Sequence, residues 1–270
     1  MRSLIIVHRE AALDREGLVR WLGSFSTVTG SVVIHEPIDR LGKRIRREIA
    51  RVGLWRFMDV LAYRAYHALM RAPADREWEQ RALERLRARF AGPLEVPELV
   101  VSSPNSPETE AFIRRRRPDL VVARCKTILK ASIFSIPRLG TYVMHPGICP
   151  EYRNAHGCFW ALAAGDAGNV GMTLLRIDDG VDTGPVFGYF KVTAEPARES
   201  HIVTAHRTVF DHLDEIRDRL LDIEAGRAAP IDTRGRRSAA WGQPWLSAYL
   251  RMRARERARV SPLTTRTDHT

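Results

Sequence analysis

Residues 141–187, TYVMHPGICPEYRNAHGCFWALAAGDAGNVGMTLLRIDDGVDTGPVF, decide how the whole chain is read. Tyr142 to Met144 is a short apolar run that reads as a buried strand ending at His145. Pro146 biases the backbone of His145 towards extended geometry, and Gly147 permits a tight turn beyond it. The imidazole is thereby presented at the carboxyl edge of a strand, where open α/β sheets place their ligands. Phe159 to Ala164 reads as an apolar helix and Gly171 to Ile177 as a strand near the sheet edge. That strand delivers DDGVDTGP, a glycine-punctuated acidic loop holding Asp178, Asp179 and Asp182. A histidine can donate to a developing oxyanion or exchange a proton near neutral pH, and a carboxylate can orient it. The same residues also suit a buried structural histidine and a solvent-facing acidic turn, so local reasoning leaves both readings open.

Outward from this stretch the pattern is strand, helix, strand. Ser3 to Val7 and Ser31 to His35 are buried strands, with a helix over Asp14 to Leu22 between them, which predicts a parallel α/β sheet with right-handed crossovers. The first turn carries no GxGxxG, so a dinucleotide site there is unsupported. Residues 39–71 read as helical: a basic half with Arg40, Lys43, Arg44, Arg46, Arg47, Arg51 and Arg56, then an apolar half from Leu54 to Tyr66, ended by Pro73. Asp75 to Phe90 is a charged helix stopped by Gly92 and Pro93. A short strand at 99–101, a helix from Pro107 to Arg116 and a buried strand over Leu120 to Ala123 follow, with a helical start over Lys126 to Ser132. Val186 to Val192 is a further strand. Ser200 to Leu221 reads as one long amphipathic helix. The expected organisation is one α/β domain over 1–225 with a helical insertion at 39–90. An irregular basic tail, 226–270, completes it, its last fifteen residues disordered.

The chain has 270 residues, 44% of them hydrophobic, and a formal net charge of +11. Such a balance favours anionic partners without choosing among nucleic acid, an anionic membrane and a phosphorylated metabolite. Three cysteines exclude a disulfide framework and suit a reducing cytoplasm. The first residues lack a secretory apolar core, and no stretch approaches the length of a membrane span. His145, Cys149, His156 and Cys158 match no common zinc spacing, so no metal is expected. Cys149 as a nucleophile paired with a histidine competes with a small buried thiol. The basic stretch 40–56, followed directly by apolar residues, suits peripheral membrane contact through 40–70, a nucleotide-linked substrate or, with least support, RNA.

The segments PDLVVARCKTIL, LGTYVMHPGICPEYRNAHG and GMTLLRIDDGVDTGPVF, in that order, resemble the folate-dependent formyltransferase family, which includes glycinamide ribonucleotide, methionyl-tRNA and amino-sugar formyltransferases. The resemblance spans Pro118 to Phe187. It implies a Rossmann-like formyltransferase fold and transfer of a formyl group from 10-formyltetrahydrofolate to an amine, without a metal. It puts the family's catalytic histidine on His145 and its aspartate on Asp182. The donor would lie along Arg124, Cys125, Lys126 and Ile128 and along Ile177, Asp178, Asp179 and Val181. Arg9, Tyr152 and Arg153 are the candidate contacts to the acceptor. The family's Asn-x-His-Pro pattern is altered, with Val143 in the asparagine position, and Asn154 is the candidate to replace the missing amide. The chain lacks the length for the added domain of methionyl-tRNA formyltransferases. That implies a small metabolite amine, sugar-linked or phosphorylated, rather than a nucleic acid. The insertion and the Trp-bearing tail offer surfaces for a homodimer. The rival readings are hydrolysis of formyltetrahydrofolate, another acyl or carbamoyl donor, and a folate-binding or scaffold protein without catalysis.

Overall fold

A computed structural model describes residues 1–35, 41–92 and 95–260. Arg40, Pro93 and the last ten residues, which entered the sequence reading, lie outside them. The strands are β1 (Arg2–His8), β2 (Thr27–Ile34), β3 (Glu98–Val101), β4 (Leu120–Arg124), β5 (Thr141–His145), β6 (Arg153–Asn154), β7 (Gly171–Arg176), β8 (Val186–Lys191) and β9 (Ala240–Trp241). The helices are α1 (Val19–Gly23), α2 (Leu41–Val52), α3 (Leu54–Met70), α4 (Ala72–Arg89), α5 (Pro107–Arg116), α6 (Ala131–Phe134), α7 (Gly157–Ala164), α8 (His201–Phe210), α9 (Leu213–Glu224) and α10 (Leu246–Val260).

Seven strands form one sheet in the order β3-β2-β1-β4-β5-β7-β8. The first five are parallel, and β7 and β8 run antiparallel. Successive side chains of a strand point to opposite faces, and β1 is apolar on both. Leu4 and Ile6 enter a layer with Phe112, Ile113, Ala123 and Ile133. Ile5 and Val7 enter the other, with Trp21, Leu22, Leu86, Val209 and Leu213. Each such fully buried Leu or Ile stabilises the fold by about 1.5–3 kcal/mol. β1 thereby sits between two cores, which is why it lies at the centre of the parallel strands. β7 lies one strand in from the edge, because β8 pairs with it on the outer side.

Several expectations are corrected. The helical stretch before Pro73 breaks at Gly53, whose φ of 80° lies in the left-handed region that glycine adopts without strain. α3 ends at Met70, close to the expected end before Pro73, and Pro73 itself sits in the first turn of a new helix, α4, where its missing N–H is not needed. Residues 125–130 are irregular, and only Ala131–Phe134 is helical. The long helix expected over 200–221 is two, α8 and α9. The turn between them brings the Leu213 carbonyl to the buried Trp21 Nε1, at 3.0 Å.

The tail is not irregular throughout. Ala248, Tyr249 and Met252 of α10 are buried in a second cluster with Tyr63 of α3 and Phe159 and Trp160 of α7. Asp59 of α3 accepts from the backbone N–H and the hydroxyl of Ser247, at 3.0 and 2.5 Å, which caps the first turn of α10 from a neighbouring helix. Upstream, β9 pairs with β6, so Arg153 and Asn154 lie beside Ala240 and Trp241. Trp160 stacks on Trp241 at 4.8 Å and meets Trp245 edge-on at 4.5 Å, with the Arg56 guanidinium 4.1 Å from the Trp245 ring.

Candidate active site

His145 ends β5 and is buried, with 5% of its surface exposed. Its Nε2 lies 2.8 Å from the carbonyl oxygen of Tyr152. A carbonyl only accepts, so Nε2 carries a proton here and Nδ1 is the edge that faces Asp182 Oδ2, at 3.3 Å. The His-Pro-Gly turn makes this possible. A side-chain carbon at Gly147 would sit 2.3 Å from the Tyr152 carbonyl oxygen and 2.7 Å from His145 Nε2. Gly147→Ala is therefore expected to push the imidazole off its carbonyl, lower turnover by about a hundredfold and cost about 1–3 kcal/mol of stability. Thermal unfolding alongside the activity assay checks both.

Asp182 arrives by a longer route than its position after a strand suggests. β7 is antiparallel to β5 and leaves the sheet at Arg176, beside Tyr142 rather than beside His145. The loop after it folds back over β5 to bring the carboxylate to the imidazole. Asp178 Oδ1 accepts from the Gly180 N–H and the Thr183 hydroxyl, at 3.0 and 2.8 Å, which closes the loop on itself. Arg153 donates to the Val181 carbonyl at 2.8 Å and to Ser238 at 3.0 Å, tying the loop to the tail. Asp182 itself has a φ of 51°, an uncommon conformation for a residue with a side chain.

Asn154, the candidate for the amide missing at Val143, has its side-chain amide engaged with the tail. Its Nδ2 donates to the Trp241 carbonyl at 2.5 Å, while its backbone N–H donates to Asp182 Oδ2 at 2.8 Å. It holds the carboxylate through the main chain. Val143, two residues before His145 on the same face of β5, packs beside Cys149, Leu175 and Val186. Tyr152 is buried; its hydroxyl donates to Asp166 at 2.9 Å, and it is its carbonyl that meets His145. Arg9 is exposed beyond the end of β1.

The other expected cluster comes together in part. Cys125 and Ile177 both pack on the core layer that holds Val121, Ala123 and Leu129, so the two loops share one face of the sheet. The Arg124 guanidinium turns inward, to Asp14 at 3.2 Å and the Met144 carbonyl at 2.6 Å. The Lys126 N–H donates to His8 Nε2 at 3.0 Å. Ile128 is 63% exposed, and Asp179 is exposed. Asn105 clamps the first loop, donating to the Ile128 carbonyl at 2.9 Å and accepting from the Lys130 N–H at 2.8 Å. Asn105 escapes a reading of the sequence, since its partners are main-chain atoms.

Burial pushes both the Cys149 and the Cys158 thiols up to about 12, so neither is a thiolate at neutral pH and neither is a ready nucleophile. Among the described residues, no group of three or more His, Cys, Asp or Glu side chains converges as metal ligands do.

Beside the His-Pro-Gly turn lies a cavity of about 170 Å³, lined by Tyr63, Arg64 and His67 of α3, by His156 and His201, and by Gln243 of the tail. The turn and the cavity are adjacent because the Cys158 N–H, in the first turn of α7, donates to the Pro146 carbonyl at 3.2 Å. His201 lies between the Tyr63 hydroxyl, 3.0 Å from its Nδ1, and His156 Nδ1, 3.2 Å from its Nε2. Burial pushes His156 down to about 4, helped by the charge of Lys126, and it pushes His201 down as well, aided by His156 and His67. Both rings are thus neutral in the folded protein where the unfolded chain, with histidines near about 6.5, takes up protons. Stability is expected to fall as pH drops from about 6.5 towards about 4. Denaturant midpoints measured across that window should fall less steeply in His156→Gln.

Residues 85–212 match the Formyl transferase family. The chain is 36% identical over 102 residues to a methionyl-tRNA formyltransferase of Dehalococcoides mccartyi, across 36% of this chain and 32% of that one. It is 30% identical over 130 residues to that of Thermotoga maritima, across 48% and 37%. The chain thus spans about a third of the length of these curated relatives. Among solved structures, it superposes on a sugar N-formyltransferase from a Shewanella species with a TM-score of 0.53 at 14% identity, covering 90% of this chain and 76% of that one. It superposes on phosphoribosylglycinamide formyltransferase of Anaplasma phagocytophilum with a TM-score of 0.55 at 13% identity, covering 90% and 99%. At these identities the two superpositions speak to the fold: a mostly parallel α/β sheet of the formyltransferase type. In sequence the likeness to formyltransferases lies within residues 85–212, a little under half of the chain.

Proposed function

We propose that this chain transfers a formyl group from a 10-formyltetrahydrofolate-type donor to the amine of a small metabolite. The observation that carries the reading is the His145–Asp182 pair, an imidazole fixed through Nε2 and facing a carboxylate with Nδ1. The donor, when bound, supplies an activated formyl carbon. The loops around Cys125 and Ile177 meet on one face and leave the apolar Ile128 uncovered, which suits a flat heteroaromatic ring. To stabilise the negative charge developing on the carbonyl oxygen, the His145 Nε2–H exchanges the Tyr152 carbonyl for that oxygen, while Asp182 stays beside Nδ1. Asp182 stays beside the imidazole and takes part in moving the proton that the amine loses, directly or through water, to the donor nitrogen as its bond to the formyl carbon breaks. The family's asparagine is absent at Val143, and loss of one such donor can cost roughly 3 kcal/mol. More of the charge stabilisation therefore falls to His145.

The acceptor is read from the cavity beside the turn. Arg64 lines it, with its guanidinium donating to the Gln243 amide oxygen at 3.2 Å. A cation beside neutral imidazoles and the Gln243 amide suits an amine that also carries an anionic group, as a phosphorylated or sugar-linked amine does. The half-buried valine at 143 favours one rival, a different acyl donor. Calorimetric titration with 5-formyltetrahydrofolate, a stable donor analogue, separates the two. Saturable binding followed by formylation in a panel of anionic amines supports the proposal. A folded protein that binds no folate overturns it in favour of the rival.

A further inference from the structure

Helix α3 has two faces of opposite use. Its inner face lines the cavity through Tyr63 and His67 and packs through Phe57 and Val60. Its outer face is apolar and uncovered. Leu54, Met58, Leu61, Ala65 and Leu69 recur at helical spacing along it, all exposed, with Trp55 beside them. Trp55 is 88% exposed and Leu69 78%. At 1.5 Å per residue the row is about 25 Å long. An exposed indole flanking an apolar helical row is the composition of a helix lying in a lipid interface.

The charge around the row selects the partner. Residues 41–52 hold five Lys or Arg against one acid, while Arg56 and Arg64 of α3 turn to the inner side. The basic α2 packs against α3, and its Arg46 is exposed. A second copy of the chain on this face, related by a two-fold axis, would bring that positive segment against itself. An anionic surface meets the same cations favourably and accepts the apolar row between its headgroups. The geometry points to docking of α2 and the outer face of α3 on an anionic lipid bilayer, with α3 lying in the interface and the His-lined cavity behind it. Docking stands on this surface and not on the chemistry at His145.

Cosedimentation of the full chain with vesicles tests it. The wild type is expected to sediment with phosphatidylglycerol-rich vesicles, to bind pure phosphatidylcholine at least tenfold more weakly, and to be released by salt. The exposed double substitution Trp55→Ser, Met58→Ser should weaken binding at least tenfold, and Arg46→Glu several-fold. Folate titration and circular dichroism should stay unchanged in both. Absence of binding to the anionic vesicles, or binding indifferent to the double substitution, overturns the proposal. So does self-association of the wild type that the double substitution abolishes, since a second copy then covers the face. Failure here leaves the folate titration, and with it the proposed function, untouched.

Discussion

His145→Ala is expected to lower the rate of formyl transfer by about a thousandfold, within the range for a group that both stabilises charge and moves protons. The loss should be large because Val143 cannot donate to the same oxygen. The effect should fall on kcat, with affinity for 5-formyltetrahydrofolate changed only a few-fold, because the loops that flank Ile128 and Ile177 do not depend on the imidazole. A stability cost accompanies it. Removal of the ring leaves the buried Tyr152 carbonyl without its donor, worth about 1–3 kcal/mol. Single-turnover kinetics beside equilibrium unfolding separates the two. A His145→Ala protein that is folded and turns over within tenfold of the wild type removes this residue from the chemistry.

Asp182→Asn is the second large effect, a loss of about a hundredfold. Asparagine is the informative replacement because the site has a φ of 51°, which asparagine tolerates better than most residues. The amide oxygen can still accept from the Asn154 N–H, so the loop stays anchored while the charge beside Nδ1 is lost. Asp182→Ala removes both and should unfold more readily as well. If the two side chains act as a unit, the double variant His145→Ala, Asp182→Asn will be barely slower than His145→Ala alone. Losses that multiply would assign them to separate steps.

The parallel core was legible because it rests on apolar runs. β1 and β4 are short, branched and bounded by turns, and such segments have few alternatives to a buried strand. The break between α8 and α9 was hidden because an apolar stripe survives a kink: Val209, Leu213 and Ile216 keep helical spacing across it. α10 was missed for the opposite reason. Ala248, Tyr249 and Met252 do mark a face, but the arginines around them dominate the composition. At the site, His145 and Asp182 could be singled out from the turn and loop that carry them. The groups that set their geometry could not: the Tyr152 carbonyl, the Asn154 N–H and the pairing of β6 with β9 are main-chain features and leave no residue-type signal.

The indoles of Trp160, Trp241 and Trp245 form one cluster, with Trp241 stacked on Trp160 and Trp245 edge-on to it, and Trp241 also stacks on Tyr152, at 6.0 Å, whose carbonyl meets the imidazole. The Trp241 Nε1 donates to the Glu151 carbonyl at 2.9 Å, inside the loop that carries Tyr152. Half of the six tryptophans in the chain therefore form a natural fluorophore coupled to the loop that carries Tyr152. Their emission will shift to longer wavelength when the tail leaves the loop, and stopped-flow detection can follow assembly of the site in real time without an attached dye.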